Sequence, residues 1–288
     1  MDVVQNLPQS DVVILDRGDG TSAAVHLHGA TLLSWQCQGK EILFLSQNAV
    51  FDHKKAIRGG VPLVFPHFGP WQHGPQHGFA RIKRWKLEIP PSKDKHGNVI
   101  SAFSLEDDEF TRSSWEKRFR LVYTLVLQEK ELSFSLVVHS NDQNPFEFTT
   151  LLHTYFRTPD VTRTAVIGLQ QLKYTDKVNN DQVLEETREA ILLSENYDRI
   201  YSNCPPEIVV GRIADGNCSA VLRTLNFPDI VLWNPWTEKA KAMSDFGDEE
   251  YKNMICVEAG NVSQPIKIDP GQQIEFTQSI QILPAPSL

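Results

Sequence analysis

Residues 118–138 read Arg118-Phe-Arg-Leu-Val-Tyr-Thr-Leu-Val-Leu-Gln-Glu-Lys-Glu-Leu-Ser-Phe-Ser-Leu-Val-Val138. Two runs rich in branched and aromatic residues flank the polar triplet Gln128-Glu-Lys130, and this arrangement is typical of a β-hairpin. A hairpin joins antiparallel strands, whereas a parallel sheet needs a helix between its strands. The segment therefore predicts antiparallel β-structure in the middle of the chain.

Short runs of the same kind recur on both sides of this hairpin, at intervals of about 8–12 residues. Helical signal is confined to residues 113–117 and 239–245, and the polar, breaker-rich residues 90–98 are predicted as a surface loop. With no fixed-period repeat and no linker, the pattern predicts an all-β sandwich or barrel in one domain, residues 1–288. Further strands are predicted at residues 11–15, 23–28, 30–36, 42–46, 146–157, 190–193, 208–213, 219–225, 230–233, 254–259 and 275–283.

The composition argues against several classes of partner. The chain has 288 residues, with 28 Lys and Arg against 36 Asp and Glu, which gives a net charge of −8. Such a chain is a poor match for nucleic acid or an anionic membrane, although a local basic cluster can still bind one phosphate. No apolar run approaches the roughly 18 residues of a membrane helix, and the N-terminus lacks the pattern of a signal peptide. We expect a cytoplasmic protein that binds neither nucleic acid nor membranes.

The sequence offers little for metal or redox chemistry. The four cysteines, at positions 37, 204, 218 and 256, form no Cys-x-x-Cys pair, and we interpret them as reduced packing residues. His26 and His28 could bind a metal from one strand face, but no third ligand completes the set. The motifs Gly-x-Ser-x-Gly, His-Glu-x-x-His and Gly-x-Gly-x-x-Gly are not present. We therefore expect neither a metal nor a cofactor.

Residues 56–69 combine Arg58 with the glycine pair Gly59-Gly60. Glycines allow a backbone to approach a ligand closely, and an arginine beside them is suited to an anion. The alternative is a tight turn with a solvated arginine. No Gly-Lys-Ser or Gly-Lys-Thr follows, so the segment is not a phosphate-binding P-loop.

Residues 75–86 hold a second basic cluster. If the chain is extended from Phe79 onward, one face presents an imidazole and two cations that would suit phosphate oxygens. The pattern is equally consistent with a basic strand edge exposed to solvent. The side chains on that face would be those of His77, Phe79, Arg81, Lys83 and Trp85.

Two ionisable residues lie inside apolar strand patterns. Alternation in residues 146–157 places His153 on a face of mixed polarity, as a ligand-lined cleft would have. Glu258 lies in Met254-Ile-Cys-Val-Glu-Ala-Gly260, where a buried carboxylate is costly unless something pairs with it. Each residue could be a structural polar group or part of an active site.

The candidate residues fall in six short strings, which occur in this order: Ile57-Arg-Gly-Gly-Val-Pro62, Pro75-Gln-His-Gly-Phe-Ala-Arg81, Leu152-His-Thr-Tyr-Phe156, Asp198-Arg-Ile-Tyr201, Val231-Leu-Trp-Asn-Pro-Trp236 and Cys256-Val-Glu-Ala-Gly260. Together they resemble the glucose-6-phosphate 1-epimerase (hexose-6-phosphate mutarotase) branch of the aldose 1-epimerases. The resemblance covers about residues 20–283, and the order of the strings makes it specific. It implies a galactose-mutarotase-like fold, a large antiparallel β-supersandwich.

The resemblance also implies an isomerase that interconverts the α and β anomers of a hexose 6-phosphate, most readily glucose 6-phosphate. It implies a catalytic acid at His153, a catalytic base at Glu258 and no cofactor. Lys83 and Arg84 are further candidates for the phosphate. We expect a monomer whose partner is the small hexose phosphate. Substrate contacts are implied for Arg58, Gln76, His77, Arg81, Asp198, Trp233 and Asn234.

Anomers exchange when the ring hemiacetal opens, rotates about C1–C2 and closes. Opening removes a proton from the C1 hydroxyl and delivers one to the ring oxygen, so a carboxylate and an imidazolium suit the task. Two alternatives stay open at this point. One is an aldose 1-epimerase for unphosphorylated hexoses, and the other is a sugar-binding module without turnover that would stack Trp233 and Trp236 on sugar faces.

Overall fold

The computed structural model describes residue 4 and residues 6–285. Helix α1 (Glu109–Ser114) and helix α2 (Trp236–Ala242) are short, as are the 3-10 helices at Ala80–Ile82, Val161–Arg163 and Glu250–Asn253. The strands are β1 (Val12–Asp16), β2 (Ser22–His26), β3 (Thr31–Cys37), β4 (Lys40–Glu41), β5 (Leu63–Val64), β6 (Lys86–Lys93), β7 (Val99–Glu106), β8 (Phe119–Leu127), β9 (Glu131–Ser140), β10 (Phe146–Leu152), β11 (Tyr155–Arg157), β12 (Ala165–Ile167), β13 (Lys173–Asp176), β14 (Gln182–Glu185), β15 (Ala190–Leu192), β16 (Tyr197–Tyr201), β17 (Glu207–Ile213), β18 (Cys218–Leu225), β19 (Asp229–Asn234), β20 (Met254–Ile268) and β21 (Gln273–Pro284).

Within the described residues these strands form three sheets. The nine-stranded sheet has the order β15-β12-β17-β18-β21-β9-β8-β7-β6. The eight-stranded sheet has the order β14-β13-β16-β19-β20-β10-β5, with β11 also paired to β20, and the smallest sheet is β1-β2-β3-β4. Neighbouring strands pair antiparallel, for example β8 with β9 and β19 with β20. The prediction of an all-β antiparallel fold is confirmed.

The main core lies between the two large sheets. Leu121, Tyr123 and Leu125 on β8 of the nine-stranded sheet are buried in one cluster with Leu232 on β19 and Val257 on β20 of the eight-stranded sheet. Each buried side chain of this size contributes roughly 1.5–3 kcal/mol of transfer free energy. The period of two along β8 therefore turns one face of the sheet into the core and leaves the other for solvent.

The same alternation gives the eight-stranded sheet a second, chemically different face. On β20, Val257 and Ala259 point into the main core, whereas Cys256 packs in a separate cluster with Phe44 and Tyr155. Glu258 shares the parity of Cys256 and so points away from the main core. This outer face of the eight-stranded sheet carries the candidate site.

The hairpin and most of the later strands form where the sequence predicts them, but two predicted strands differ. Residues 42–46 make only isolated bridges from Leu43 and Leu45, because their backbone groups bond to two separate segments. The continuous strand predicted for residues 146–157 is interrupted after β10, where the N–H of Thr154 turns back to the carbonyl of Leu152 at 2.9 Å.

Other local predictions also need correction. Residues 90–93, predicted as loop, belong to β6, since two prolines are tolerated on this edge strand where its register to β7 shifts. Helix α1 begins at Glu109, before the predicted 113–117, because Asp108 and Thr111 form a capping box at its start. Helix α2 likewise begins at Trp236, before the predicted 239. Among the helices of the described chain, none combines the length and the apolar character needed to span a bilayer.

Candidate active site

His153 and Glu258 face each other across neighbouring strands. Leu152 pairs with Ala259 and Tyr155 pairs with Cys256, so the register is the same on both sides of the break between β10 and β11. The break therefore leaves His153 opposite Glu258, and Nδ1 of the imidazole lies 3.3 Å from Oε1 of the carboxylate. Their side chains are only 9% and 1% exposed. The sheet itself sets the distance between the two groups.

Strands β19 and β16 extend the surface of the sheet on which His153 and Glu258 lie, and we call this surface the floor of the site. On β19, Val231 pairs with Glu258 and Trp233 pairs with Cys256. On β16, Asp198 pairs with Trp233. Cross-strand partners lie side by side on the same face of a sheet, so Asp198, Trp233 and the His153–Glu258 pair share one surface.

A cleft of ≈350 Å³ stands on this floor. Its walls come from loops that precede β5 and β6 and from the segments after β13 and α2. The lining includes eight residues that the sequence resemblance implies: Arg58, Gln76, His77, Arg81, His153, Asp198, Trp233 and Glu258. The lining also includes Phe68, Gly69, Pro70, Lys177, Val231 and Met243.

Arg58 is held in place by two neighbours. Nη1 donates to the hydroxyl of Tyr155 at 3.1 Å, while Nη2 and Nε lie 3.2 and 3.3 Å from Oδ2 of Asp245. The nearby Tyr155 and Asp245 raise the pKa of the guanidinium against the opposing effect of burial. Gly59 and Gly60 approach neighbouring backbone rather than a ligand, since a Cβ on Gly60 would lie 2.0 Å from the carbonyl oxygen of Leu32.

The guanidinium group of Arg81 has no anionic partner among the described residues. It lies on the 3-10 helix Ala80–Ile82, where Nη2 donates to the carbonyl of Gln76 at 2.8 Å and Nε has no hydrogen-bond partner. Burial and the neighbouring Arg58 lower its pKa to about 10, with the nearby Tyr155 opposing them. A half-buried, unpaired guanidinium in a cleft is a binding site for an anion.

His77 is fixed by the backbone of Gly69. The backbone N–H of His77 donates to the carbonyl of Gly69 at 2.9 Å, and the ring Nδ1 of His77 accepts from the backbone N–H of Gly69 at 3.1 Å. Burial, with Arg81 and Arg58 nearby, lowers its pKa to about 3. The imidazole is therefore neutral, with its proton on Nε2, which lies 3.5 Å from the side-chain amide of Gln76, another residue of the cleft.

Burial favours the uncharged forms of both His153 and Glu258. Desolvation, assisted by His77 and the two guanidinium groups, holds the pKa of His153 well below 6.5. Desolvation and the Asp198 carboxylate raise the pKa of Glu258 well above 4.5. Both shifts favour a proton on Glu258 over a proton on His153, whereas the sequence argument assigned an imidazolium to His153. Nδ1 of His153 and both carboxylate oxygens of Glu258 make no hydrogen bond within the described chain.

Asp198 presents a carboxylate to the cleft from the far side of the floor. Its Oδ2 lies 3.8 Å from Nζ of Lys239, a loose ion pair. Burial raises its pKa, with the two lysines Lys239 and Lys177 opposing. A carboxylate so placed can accept hydrogen bonds from two sugar hydroxyls.

Three candidates from the sequence do not line the cleft. Asn234 is buried, and its Nδ2 donates to the carbonyls of Tyr251 and Met254, so it ties β19 to the start of β20. Lys83 forms an ion pair with Asp108 at 2.5 Å, and Arg84 pairs with Asp11 at 2.6 Å. The shared face predicted for residues 77–85 does not form, because the 3-10 helix at Ala80–Ile82 turns the side chains in different directions.

The sequence argument overlooked the groups that hold the site together. The ring of Tyr155 stacks on that of His153, with centroids 4.7 Å apart and planes 11° apart. Its position two residues after His153 in a predicted strand could have revealed it. Lys177 and Asp245 lie on irregular segments, where no periodicity signals a contact.

A larger depression of ≈870 Å³ lies elsewhere, between β4 and the segment around Asp215. Two of its charged side chains, Lys40 and Glu41, already have partners. Lys40 is 2.9 Å from Asp215, and Glu41 accepts hydrogen bonds from Ser34, Gln36 and backbone amides. None of the residues implied by the resemblance lies in it, so we assign the site to the smaller cleft.

Comparison with known proteins gives a consistent result. Residues 11–281 match the family model described as aldose 1-epimerase. A "putative glucose-6-phosphate 1-epimerase" of Cenchrus ciliaris is 34% identical over 95% of this chain and 85% of its own length. A relative with the same name in Escherichia coli is 33% identical over 96% of this chain and 92% of its own length. The crystal structure of a "putative mutarotase" from Salmonella typhimurium superposes with a TM-score of 0.87 at 30% identity, covering 96% of this chain and 92% of that chain.

Proposed function

The chain belongs to the aldose 1-epimerase family, and we propose that it interconverts the α and β anomers of a hexose 6-phosphate, with glucose 6-phosphate as the preferred substrate. The observation that carries the proposal is the buried His153–Glu258 pair beside an unpaired Arg81 in one cleft. The pair suits proton transfer at a hemiacetal, and the guanidinium suits a phosphate. The names of the relatives in Cenchrus ciliaris and Escherichia coli support the same substrate.

We assign proton removal from the C1 hydroxyl to Glu258 and proton delivery to the ring oxygen to His153, with the roles exchanged for the opposite direction. Because the two side chains are 3.3 Å apart, a proton can pass between Glu258 and His153. Hydrogen bonds from the hydroxyls of a bound sugar replace the solvation that Glu258 lost on burial, and they therefore favour its charged carboxylate form. His77 and Asp198 then hold the remaining hydroxyls of the sugar.

The 6-phosphate binds between Arg58 and Arg81 in this proposal. Both guanidinium groups line the cleft, whereas Lys83 and Arg84 are engaged by carboxylates outside it. Arg81 gains most, since it has no ion-pair partner within the described chain before the substrate arrives. A buried cation left unpaired is costly, so the site should discriminate against a sugar without phosphate.

Substitution of the acid–base pair tests the mechanism. Glu258→Gln and His153→Asn should each lower kcat for glucose 6-phosphate by about 10²–10⁴-fold, the usual contribution of an acid–base group. Anomer exchange can be followed by NMR exchange spectroscopy. Glu147→Gln on β10 and His139→Asn on β9 are matched controls outside the cleft and should keep wild-type rates. A Glu258→Gln enzyme of wild-type activity would remove that residue from the mechanism.

Phosphate recognition is tested separately. Arg81→Ala should lower kcat/KM for glucose 6-phosphate by about 10–100-fold, since a hydrogen bond to a charged group is worth about 1.5–3 kcal/mol. The effect on free glucose should be small. Lys83→Ala, which removes a neighbouring cation outside the cleft, should change neither substrate. Equal losses for both sugars would instead favour an epimerase for unphosphorylated hexoses, and saturable binding without any rate enhancement would favour a sugar-binding module.

We further propose a cytoplasmic monomer. A hexose phosphate is a charged molecule that does not cross a bilayer unaided, so an enzyme acting on it works where it is made. The acid–base pair and both guanidinium groups that we assign to the reaction line one cleft of a single copy, so the proposed mechanism needs no residue from a second copy. Sedimentation equilibrium that shows a stable dimer at catalytic concentrations would contradict the monomer.

A further inference from the structure

Cys256 is a buried thiol beside the proposed acid–base pair, and the anomerisation mechanism gives it no task. It precedes Glu258 by two residues on β20 and lies on the same outer face of the sheet. One ligand atom each from His153, Cys256 and Glu258 lie within 4.8 Å of one another. The imidazole Nδ1 and both carboxylate oxygens have no hydrogen-bond partner in the described part of the chain. Three potential metal ligands thus converge on one point, and two of them are unpartnered.

The donor set fits a thiophilic divalent cation better than a hard one. Nitrogen, sulfur and carboxylate oxygen are the ligands of Zn²⁺, at bond lengths of about 2.0–2.3 Å, which puts ligand atoms of a tetrahedral site about 3.3–3.8 Å apart. The imidazole and carboxylate are already 3.3 Å apart, so the thiol needs only a small side-chain rotation to join them. Mg²⁺ and Ca²⁺ prefer oxygen-only sites and do not match.

Charge and access agree with this assignment. A thiolate and a carboxylate together balance a dication, and the protons that the thiol and Glu258 give up on binding pass to solvent. His153 and Glu258 also line the cleft, which leaves the fourth coordination position facing its interior. The positive charges of Arg58 and Arg81 disfavour a nearby cation, and an anion such as a phosphate bound between them would offset that effect.

We propose that His153, Cys256 and Glu258 form an inhibitory binding site for a thiophilic divalent cation of the zinc class. Coordination occupies the imidazole nitrogen and the carboxylate at once, so a metal-bound chain has neither an acid nor a base to offer a sugar. The inhibition rests on the proposed anomerase function, whereas binding of the metal does not. An experiment can therefore reject metal binding and the anomerase function independently of each other.

Binding is measured first, on the full chain freed of metal with a chelator. Co²⁺ serves as a spectroscopic probe, because a thiolate ligand gives a charge-transfer band in the near ultraviolet, and Zn²⁺ titration by calorimetry gives the stoichiometry. We expect one cation per chain and displacement of Co²⁺ by Zn²⁺, with no binding of Mg²⁺. In the anomerisation assay, Zn²⁺ should inhibit the wild-type enzyme and a chelator should restore it.

The decisive variant is Cys256→Ala, with Cys37→Ala as the matched control because Cys37 is also a buried strand cysteine but lies away from the cleft. Loss of the thiol should abolish the charge-transfer band. It should also weaken Zn²⁺ affinity by more than 100-fold, since losing a group that only hydrogen-bonds to a metal ligand typically costs about 10–100-fold. Cys37→Ala should bind and be inhibited like the wild type. Cys256→Ser, which keeps the volume of the side chain, repeats the test if the alanine variant does not fold.

Several outcomes would overturn the proposal. They are the absence of Zn²⁺ binding to the wild type, binding without a charge-transfer band from Co²⁺, or Zn²⁺ affinity and inhibition unchanged in both Cys256 variants. A wild-type enzyme that binds one Zn²⁺ through Cys256 but shows no anomerisation without metal would instead retain the metal site and reject the proposed function.

Discussion

Burial shifts the pKa values of the two members of the acid–base pair in opposite directions. It holds the pKa of His153 well below 6.5 and raises that of Glu258 well above 4.5. The pair therefore accepts a second proton only at a pH well below 6.5, and Glu258 keeps the last proton to a pH well above 4.5. Between these limits the pair holds one proton, and only this state can give one proton and take another.

A broad, bell-shaped pH profile follows from this proton count. Activity should fall on the acid side only well below pH 6.5, where His153 also takes a proton, and on the alkaline side, at a pH well above 4.5, where Glu258 loses its proton. Exchange rates measured by NMR across the pH range would show the two limbs. Because the substrate phosphate itself titrates near pH 6, free glucose serves as the control substrate. An acid limb centred at pH 6.5 with both sugars would contradict a desolvated His153.

The hydroxyl of Tyr155 links the proposed phosphate site to the acid–base pair. Its ring stacks on His153, and its oxygen accepts a hydrogen bond from Arg58. Tyr155→Phe keeps the stacked ring but removes the acceptor, so Arg58 loses one of its two anchors. We expect KM for glucose 6-phosphate to rise about 10-fold, the equivalent of one net hydrogen bond, with kcat little changed. A fall in kcat at constant KM would show that the hydroxyl serves the imidazole instead.

At the level of secondary structure, the approach of Arg58 to the cleft depends on Gly60. This residue has φ +65°, and a Cβ there would lie 2.0 Å from the carbonyl oxygen of Leu32 and 3.1 Å from the Cα of Leu33. The turn before β5 therefore packs backbone against backbone at β3. No side chain fits between these two segments without moving them apart.

Alanine at Gly60 should destabilise the chain and displace Arg58. The matched control is Gly39→Ala, because Gly39 has φ +79° but a Cβ added there would have no neighbour within 4 Å. Both variants carry the strain of a positive φ, on the order of 1–3 kcal/mol, and only Gly60→Ala adds the overlap. Chemical denaturation should show a clearly larger loss of unfolding free energy for Gly60→Ala, with a higher KM for glucose 6-phosphate. Equal losses in the two variants would mean that the backbone relaxes without cost.

Alternation within strands marked His153 and Glu258 as candidates, and the family resemblance then assigned them the roles of acid and base. The alternation placed His153 on a mixed face and identified Glu258 as an unusual carboxylate in an apolar run, and β20 has this alternation in the structure. The break after Leu152 could not be foreseen, because the N–H of Thr154 satisfies itself locally within a segment that otherwise has strand composition. The pairing register is the same before and after the break, and His153 and Glu258 therefore still face each other.

Predictions from local pattern failed where tertiary contacts decide the conformation. The strip proposed for residues 77–85 is replaced by a 3-10 turn that buries Phe79 and Trp85 in the core. Its two cations illustrate the consequence: Arg81 lines the cleft, whereas Lys83 pairs with Asp108 outside it. Basic residues that are close in sequence carry no information about which of them reaches the ligand until the turn between them is known.

Viewed as a whole, the molecule places its chemistry on the outer face of a sheet whose inner face is the core. The strands that carry His153 and Glu258 are the same strands whose alternate residues pack against the nine-stranded sheet. A shift of β20 by one residue would exchange these faces, so the main core also fixes the register of the proposed site. Stability and activity should therefore be lost in one step when the two large sheets separate.

A core phenylalanine between the sheets tests this coupling. Phe119 on β8 is fully buried, and its ring centroid lies 5.2 Å from that of Phe65 and 5.6 Å from that of Phe79, which precede and follow the cleft loop. Phe119→Ala should cost about 3–5 kcal/mol of unfolding free energy. Phe110→Ala, at a side chain that is 48% exposed, is the matched control and should cost far less.

The single-domain proposal requires that every probe report the same transition. In Phe119→Ala the midpoints measured by far-ultraviolet circular dichroism, tryptophan fluorescence and anomerisation activity should move together to lower denaturant, because one core joins the β8 sheet to the strands beneath the cleft. Two separate transitions, with activity lost while most of the β-structure persists, would mean that the cleft side of the sandwich folds independently. Coincident midpoints in the wild type and in both variants would identify the sandwich as one cooperative unit, with the spacing of His153 and Glu258 set by the same packing that holds the sheets together.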